Sequence, residues 1–438
     1  MKHISKISKS YFFWALVACL AVYLPSLWND FQTSWDDQWM VVNRYTESGF
    51  TAHNLRAIFT DFYYGQYGPL NQLVYTTIYA MFGYNAVIFH LYSLLLHFVN
   101  CCLLFVFLKL IASSLVNQAS QANIPAIAFG AALLFAIHPL QVESIAWISA
   151  SKIPLYTFFT LLSMLSYLRY ISSQKPVHYL LAFLFFVCSY GCKEQSIVLP
   201  AALLLLDWTL RRFNGKNWAM IVVEKIPFIL FALFGGFLLL SHTSSDWIAR
   251  VAGFPLLHRV VFICYSLVVY AGRFVFPFNL MHLYLFPITP GNTMPAAYLV
   301  YPAIIAVAFI LICINIKKIP RLVIFGIVFF LVNVALMIHV IPMSRPNVTA
   351  DRYVYLASAG LFFIAAFYAV PWLQKMKVAG NRWALALAAC YLLYLGGYAH
   401  VRTYAWKNSE TLKRGYWEMI NFKPSESEDE QPKYYEIQ

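Results

Sequence analysis

Apolar residues do not recur at helical spacing in this chain. They come in unbroken runs with polar breaks between them. A run of about 20 apolar residues spans a bilayer as a helix. The pattern predicts such helices near 11–28, 86–108, 124–138, 153–170, 177–191, 195–209 and 224–241, with the last near 383–400. Residues 29–85 are too polar to be embedded. Their aromatic stretch Phe62-Tyr63-Tyr64-Gly65-Gln66-Tyr67-Gly68-Pro69-Leu70 predicts short helices at the membrane boundary, where Tyr and Trp accumulate. The fold class expected is an all-α polytopic membrane protein.

Composition agrees. Of 438 residues, 61% are hydrophobic and 11% charged, with a mean hydropathy of +0.64. Soluble domains are about a quarter charged. The net charge of +13 does not indicate nucleic acid, because the cations cluster at the ends of apolar runs and so set membrane orientation. Lys2 to Lys9 carries three lysines and no small-residue cleavage site follows the first run. A retained first span with a cytoplasmic N-terminus is therefore expected. Arg169/Lys175, Arg211/Arg212/Lys216, Lys317/Lys318/Arg321 and Lys375/Lys377/Arg382 read as cytoplasmic loops. Only if 258–276 fails to cross do all four fall on one side. This gives about eleven crossings and an external C-terminus. The membrane domain is expected over 1–402. Residues 403–438 are expected to form a short polar external tail without a separate folded domain. The eight cysteines lie in or beside apolar runs and read as small buried hydrophobes.

Against this background the ionisable residues stand out, because such groups near membrane helix ends are costly. They are Asp36/Asp37, His138 with Glu143, Lys152, Lys193/Glu194 and Asp351/Arg352, all on the external side of the expected topology. Adjacent acids repel, which favours a proton or a cation at one of them. Asp36 can serve as a general base, and Asp37 can orient it or hold a metal. The cations suit a phosphate. Singly, each group also has a structural explanation: a capping histidine, a local ion pair, an acid at a helix N-terminus.

The order of these motifs resembles that of GT-C glycosyltransferases. It is most similar to the transmembrane-and-tetratricopeptide O-mannosyltransferase family and its bacterial relatives. The resemblance rests on Trp35-Asp36-Asp37, Gly68-Pro69-Leu70, Phe89-His90-Leu91, Leu95-Leu96-His97, His138-Pro139-Leu140-Gln141-Val142-Glu143, Lys193-Glu194, Glu224-Lys225-Ile226-Pro227, Ala350-Asp351-Arg352-Tyr353 and Arg402-Thr403-Tyr404-Ala405-Trp406. Together they run over roughly 380 residues. Two positions depart from it. Gly68 stands where relatives often carry Arg, and Ala150-Ser151-Lys152-Ile153 stands where they often carry Glu-Arg-Lys-Asp. The chain to Gln438 carries no tetratricopeptide array.

The resemblance implies an inverting transfer from a polyprenyl-phosphate sugar to a hydroxyl of a protein or glycan. The reaction would take place at the external face of a membrane, the inner membrane in bacteria. It implies Asp36 as base and Asp37 as its partner, or as ligand of a divalent ion (Mg, Mn or Zn). It implies His138, Glu143 and Glu194 in the sugar pocket, and Lys152, Lys193 and Arg352 on the donor phosphate. An oligosaccharide polymerase or ligase of the same fold is the alternative within the class. A transporter would place its charges near the bilayer midplane and repeat its halves. A non-catalytic scaffold would have lost the acid pair.

Overall fold

A computed structural model describes residues 2–115, 123–214, 218–242, 254–289, 291–340 and 347–419. Lys216, residues 343–346 and the acidic run at 425–430 lie outside these. The chain is an all-α membrane protein. Among the described residues, eight helices are long and apolar enough to cross a bilayer. The pair Ile124–Ile137 and Pro139–Ala146, bent by 57°, adds a broken one, and Pro176–Tyr190 and Arg321–Met337 are shorter apolar helices.

The first helix, α1 (Lys2–Tyr23), leads into a polar segment with four short helices: α2 (Asp37–Met40), α3 (Arg44–Glu47), α4 (Ala52–Thr60) and α5 (Pro69–Phe82). These are too short to persist alone. Side-chain caps hold two of them: Asn43 accepts from Tyr45 and Thr46 N–H, and Thr51 accepts from Asn54 N–H. The core then follows as α6 (Ala86–Ser113), α7 (Ile124–Ile137), α8 (Val142–Ala146), α9 (Lys152–Ser173), α10 (Pro176–Tyr190) and α11 (Leu199–Thr209). Proline in the first turn starts α5, α7, α10 and α11, where its missing N–H costs nothing. After α12 (Trp218–Val223) and α13 (Ile226–His242) come α14 (Leu256–Val275), α15 (Val300–Asn315), α16 (Arg321–Val334), α17 (Ser358–Val378), α18 (Arg382–Thr403) and α19 (Ser409–Met419).

One continuous apolar core joins α1, α6, α7, α9, α10, α11, α16 and α17. At the α16–α17 crossing a Cβ on Gly326 would sit 2.6 Å from Gly360 O, so the helices meet backbone to backbone. By contrast α15 buries no residue, and Ile304, Val307, Phe309, Ile310, Leu311 and Ile314 all face outward. A helix apolar all round and uncovered by protein faces lipid.

The bundle has two chemically distinct ends. At one, Arg321 stacks 4.2 Å over Trp208, beside Arg212 and Tyr167. At the other, His242 stacks 3.8 Å from Phe62 of the first loop. Helix α14 runs beside the segment that leads to Asp351. Arg259 donates to Val340 O (2.9 Å), Ser266 to Val348 O (3.3 Å) and Tyr270 to Ala350 O (3.0 Å). Arg273 lies 3.6 Å from Asp351. By length and composition α14 is one of the eight helices able to cross, and its partners run along 340–351. The segment Asn347–Thr349, a sequon by sequence, is a buried strand paired with Tyr284–Leu285.

The tail past 403 is stitched to the first loop. Asp30 N–H donates to Lys407 O (2.8 Å), Gln32 to Trp406 O (2.8 Å) and Ser34 N–H to Ser409 Oγ (3.0 Å). Trp406 and Leu412 enter the main core.

Candidate active site

Asp36 closes the loop before α2, and its own carbonyl accepts from Met40 N–H (2.8 Å). Its carboxylate is held above the ordinary range by burial, against Lys152, Arg352 and a Trp39 hydrogen bond that pull it down. Asp37 is fully buried. One oxygen accepts from Gln32 N–H (2.7 Å), the other from Ser149 N–H (2.9 Å) and the Ser149 hydroxyl. Burial nevertheless pushes it up to about 6. Asp37 thus ties the first loop to the turn before α9. Both its oxygens are engaged. Among the described residues, Asp36 and Asp37 join no group of three His, Cys or carboxylate ligands within coordination reach. The arrangement does not fit a divalent ion at Asp37.

Glu143, on α8, is buried and grips Arg352. One oxygen accepts from the Arg352 backbone N–H at 2.9 Å, and the other forms an ion pair with the guanidinium. The guanidinium also lies over Trp147 (5.3 Å), which stacks on Trp406 at 5.1 Å. Lys193 pairs with Glu194 at 3.3 Å. Lys152 opens α9. Its Nζ donates to Gln66 Oε1 at 2.6 Å, and its charged neighbours include Lys193, Glu194, Asp36 and Arg352. Three cations from three separate segments therefore converge. Among the described residues, Asp36 and Lys152 have no ion-pair partner within 4.0 Å, whereas Glu143, Arg352, Lys193 and Glu194 do.

Beside them opens a pocket lined by Trp39, Tyr63, Gln66, Tyr67, Lys152 and Glu194 among others. Its aromatic walls and polar floor suit a polyhydroxylated ring.

His138 is placed elsewhere. Its Nδ1 accepts from Leu140 N–H (3.2 Å) and its Nε2–H donates to Phe274 O (3.0 Å). The ring lines an apolar cleft with Phe274, Phe362 and Tyr391. It caps α7 and fastens α14, and the sugar-pocket role expected of it has no support in this geometry. The sequence reading gave no role to Trp39, Gln66 or Ser149; a polar residue in an aromatic run was the one available signal for Gln66. Nor did it pair Asp351, which binds Arg402 (2.7 Å) and accepts from the Tyr284 hydroxyl (3.1 Å).

Comparison with models of known protein families, and with curated proteins, gives no match.

Proposed function

We propose that the chain is an inverting membrane glycosyltransferase that moves a sugar from a polyprenyl-phosphate donor to a hydroxyl. The observation that carries this is the convergence of Lys152, Lys193 and Arg352 beside a carboxylate, Asp36, that has no ion-pair partner. Arg352 and Lys193 already face Glu143 and Glu194, while Lys152 has no ion-pair partner among the described residues, so a phosphate on a lipid that reaches the site from the bilayer can take its charge. The sequence resemblance to GT-C enzymes points the same way.

In this reading the donor phosphate lies against Lys152, Lys193 and Arg352. Their charge stabilises it as it leaves. Glu143 holds Arg352 in position, and Asp37 holds the loop that carries Asp36. The acceptor hydroxyl attacks the anomeric carbon from the face opposite the phosphate. The new C–O bond forms as the old one to phosphate breaks, and the proton passes to Asp36. The sugar or acceptor ring rests against Trp39, Tyr63 and Tyr67. No metal step is needed.

We also propose eleven crossings, counting α11 with the turn that leads into it and leaving out α14, which lies along the external face, with the Asp36 end external. The partners of α14 at 340 and 351, and the grouping of Arg212 with Arg321 at the opposite end, support this. The GT-C fold and the bacterial inner membrane remain part of this proposal.

The experiment is transfer from a polyprenyl-phosphate sugar by the full chain in detergent. Asp36→Asn should slow transfer about a hundred- to ten-thousandfold while leaving donor affinity unchanged. Asp36→Asn transferring at the wild-type rate would make a donor-binding scaffold the better account.

A further inference from the structure

A second cluster lies inside the bundle, away from the acid pair. Cys19 is on α1; His97 and Cys101 are one turn apart on α6. All three are fully buried, and their Sγ and ring-nitrogen atoms lie within 4.8 Å of one another. Cys101 Sγ is 3.8 Å from His97 Nε2. Ligand atoms held 2.0–2.3 Å from a tetrahedral zinc sit roughly 3.3–3.8 Å apart, so a small contraction closes the set.

Two further observations point to a ligand. The imidazole is already oriented, since His97 Nδ1 lies 2.7 Å from the Tyr355 hydroxyl. Nε2 lies 3.3 Å from Ala136 O and 3.8 Å from Cys101 Sγ, so binding would move the ring proton from Nε2 to Nδ1, toward Tyr355, and free the Nε2 lone pair for the cation. The second is Tyr23, one turn after Cys19. Its ring packs 5.2 Å from His97, and its hydroxyl, fully buried, has no hydrogen-bond partner among the described residues. A buried hydroxyl left unbonded is costly. A thiolate beside it would accept its proton. Bundle metal sites are built in this way, from side chains one turn apart on facing helices.

We propose that Cys19, His97 and Cys101 bind a divalent thiophilic cation, Zn(II), that clamps α1 to α6. Charge decides the valence. Binding releases two thiol protons, and two thiolates with one divalent ion sum to zero, whereas a monovalent ion would leave a net negative charge in the apolar core. Through His97 and Tyr355 the clamp braces the segment that follows Arg352. The site is independent of the transfer reading.

The test is metal analysis of the full-length protein purified in detergent and equilibrated with Zn2+. About one zinc per chain is expected, lost in Cys19→Ser and in Cys101→Ser but kept in Cys102→Ser, whose side chain is outside the set. Titration of the zinc-free wild type with Co2+ should raise a thiolate charge-transfer band, a readout that needs no variant to fold. No stoichiometric metal and no band in the wild type would overturn the proposal. Metal retained when both Cys19 and Cys101 are replaced, or a Cys19–Cys101 disulfide in the isolated protein, would also overturn it.

Discussion

Two charged clusters mark the ends of α9, about 22 Å apart along its axis by helical rise. At its C-terminal end the Tyr167 hydroxyl sits 2.9 Å from both oxygens of Asp207 and accepts from Arg212 at 2.8 Å. Arg212 and Lys225 pair with Asp207 and Glu224 in four ion pairs of 2.7 to 3.4 Å. Two acids meet two bases, so the cluster is neutral and complete. At the N-terminal end the charged neighbours of Lys152 include Lys193, Glu194, Asp36 and Arg352, and neither Lys152 nor Asp36 has an ion-pair partner among the described residues. A complete buried network fastens helices. A cluster that leaves charges facing a pocket is built to receive one. Both were costly to bury, but only the first has its acids and bases fully paired.

The comparison breaks first at Lys225. Lys225→Met leaves two acids, Asp207 and Glu224, to share Arg212, an uncompensated buried charge that costs about 3–5 kcal/mol, so thermal unfolding in detergent should show a collapse of stability. A melting temperature near wild type would mean that the closed cluster holds nothing. Tyr167→Phe is milder: it removes the hydroxyl shared by both sides of the network and should cost about 1–3 kcal/mol in the same measurement.

At the open end pH is the lever. Asp36 must be ionised to take a proton, and burial raises its pKa. Transfer should therefore fall tenfold per pH unit on the acid side, beginning above the ordinary carboxylate value of about 3.9. A rate flat through that range would remove the base from Asp36. The smallest effect is expected on stability at Lys152. Lys152→Gln removes a cation with no ion-pair partner and relieves its repulsion from Lys193 and Arg352, so unfolding should stay within about 0.5 kcal/mol of wild type.

Much of the open cluster was legible in sequence, because a charged residue beside an apolar run is rare. Asp36, Glu143, Lys152, Lys193, Glu194 and Arg352 were all singled out, and they converge. The closed cluster was not read as one. Tyr167 lies on α9, Asp207 on α11, and Glu224 and Lys225 in the turn between α12 and α13, and only tertiary packing reveals their mutual neutrality. His138 misled because a histidine that caps a helix and one that lines a pocket look alike in one dimension. Both its nitrogens are taken by Leu140 and Phe274. At α14 the basic loops and apolarity point different ways. Hydropathy measures whether a helix could enter lipid, and Arg259 and Arg273 tie this one to 340 and 351.

The central claim is that the open cluster receives a lipid phosphate, and direct titration tests it. A short-chain polyprenyl phosphate is added to the full chain in detergent, with binding followed by tryptophan fluorescence. Wild type should saturate, and Lys152→Gln, equally folded, should bind roughly ten- to a hundredfold more weakly, since a hydrogen-bonded charge on phosphate contributes about 1.5–3 kcal/mol. Equal affinity in the two proteins, or no saturable binding in the wild type, would contradict the account.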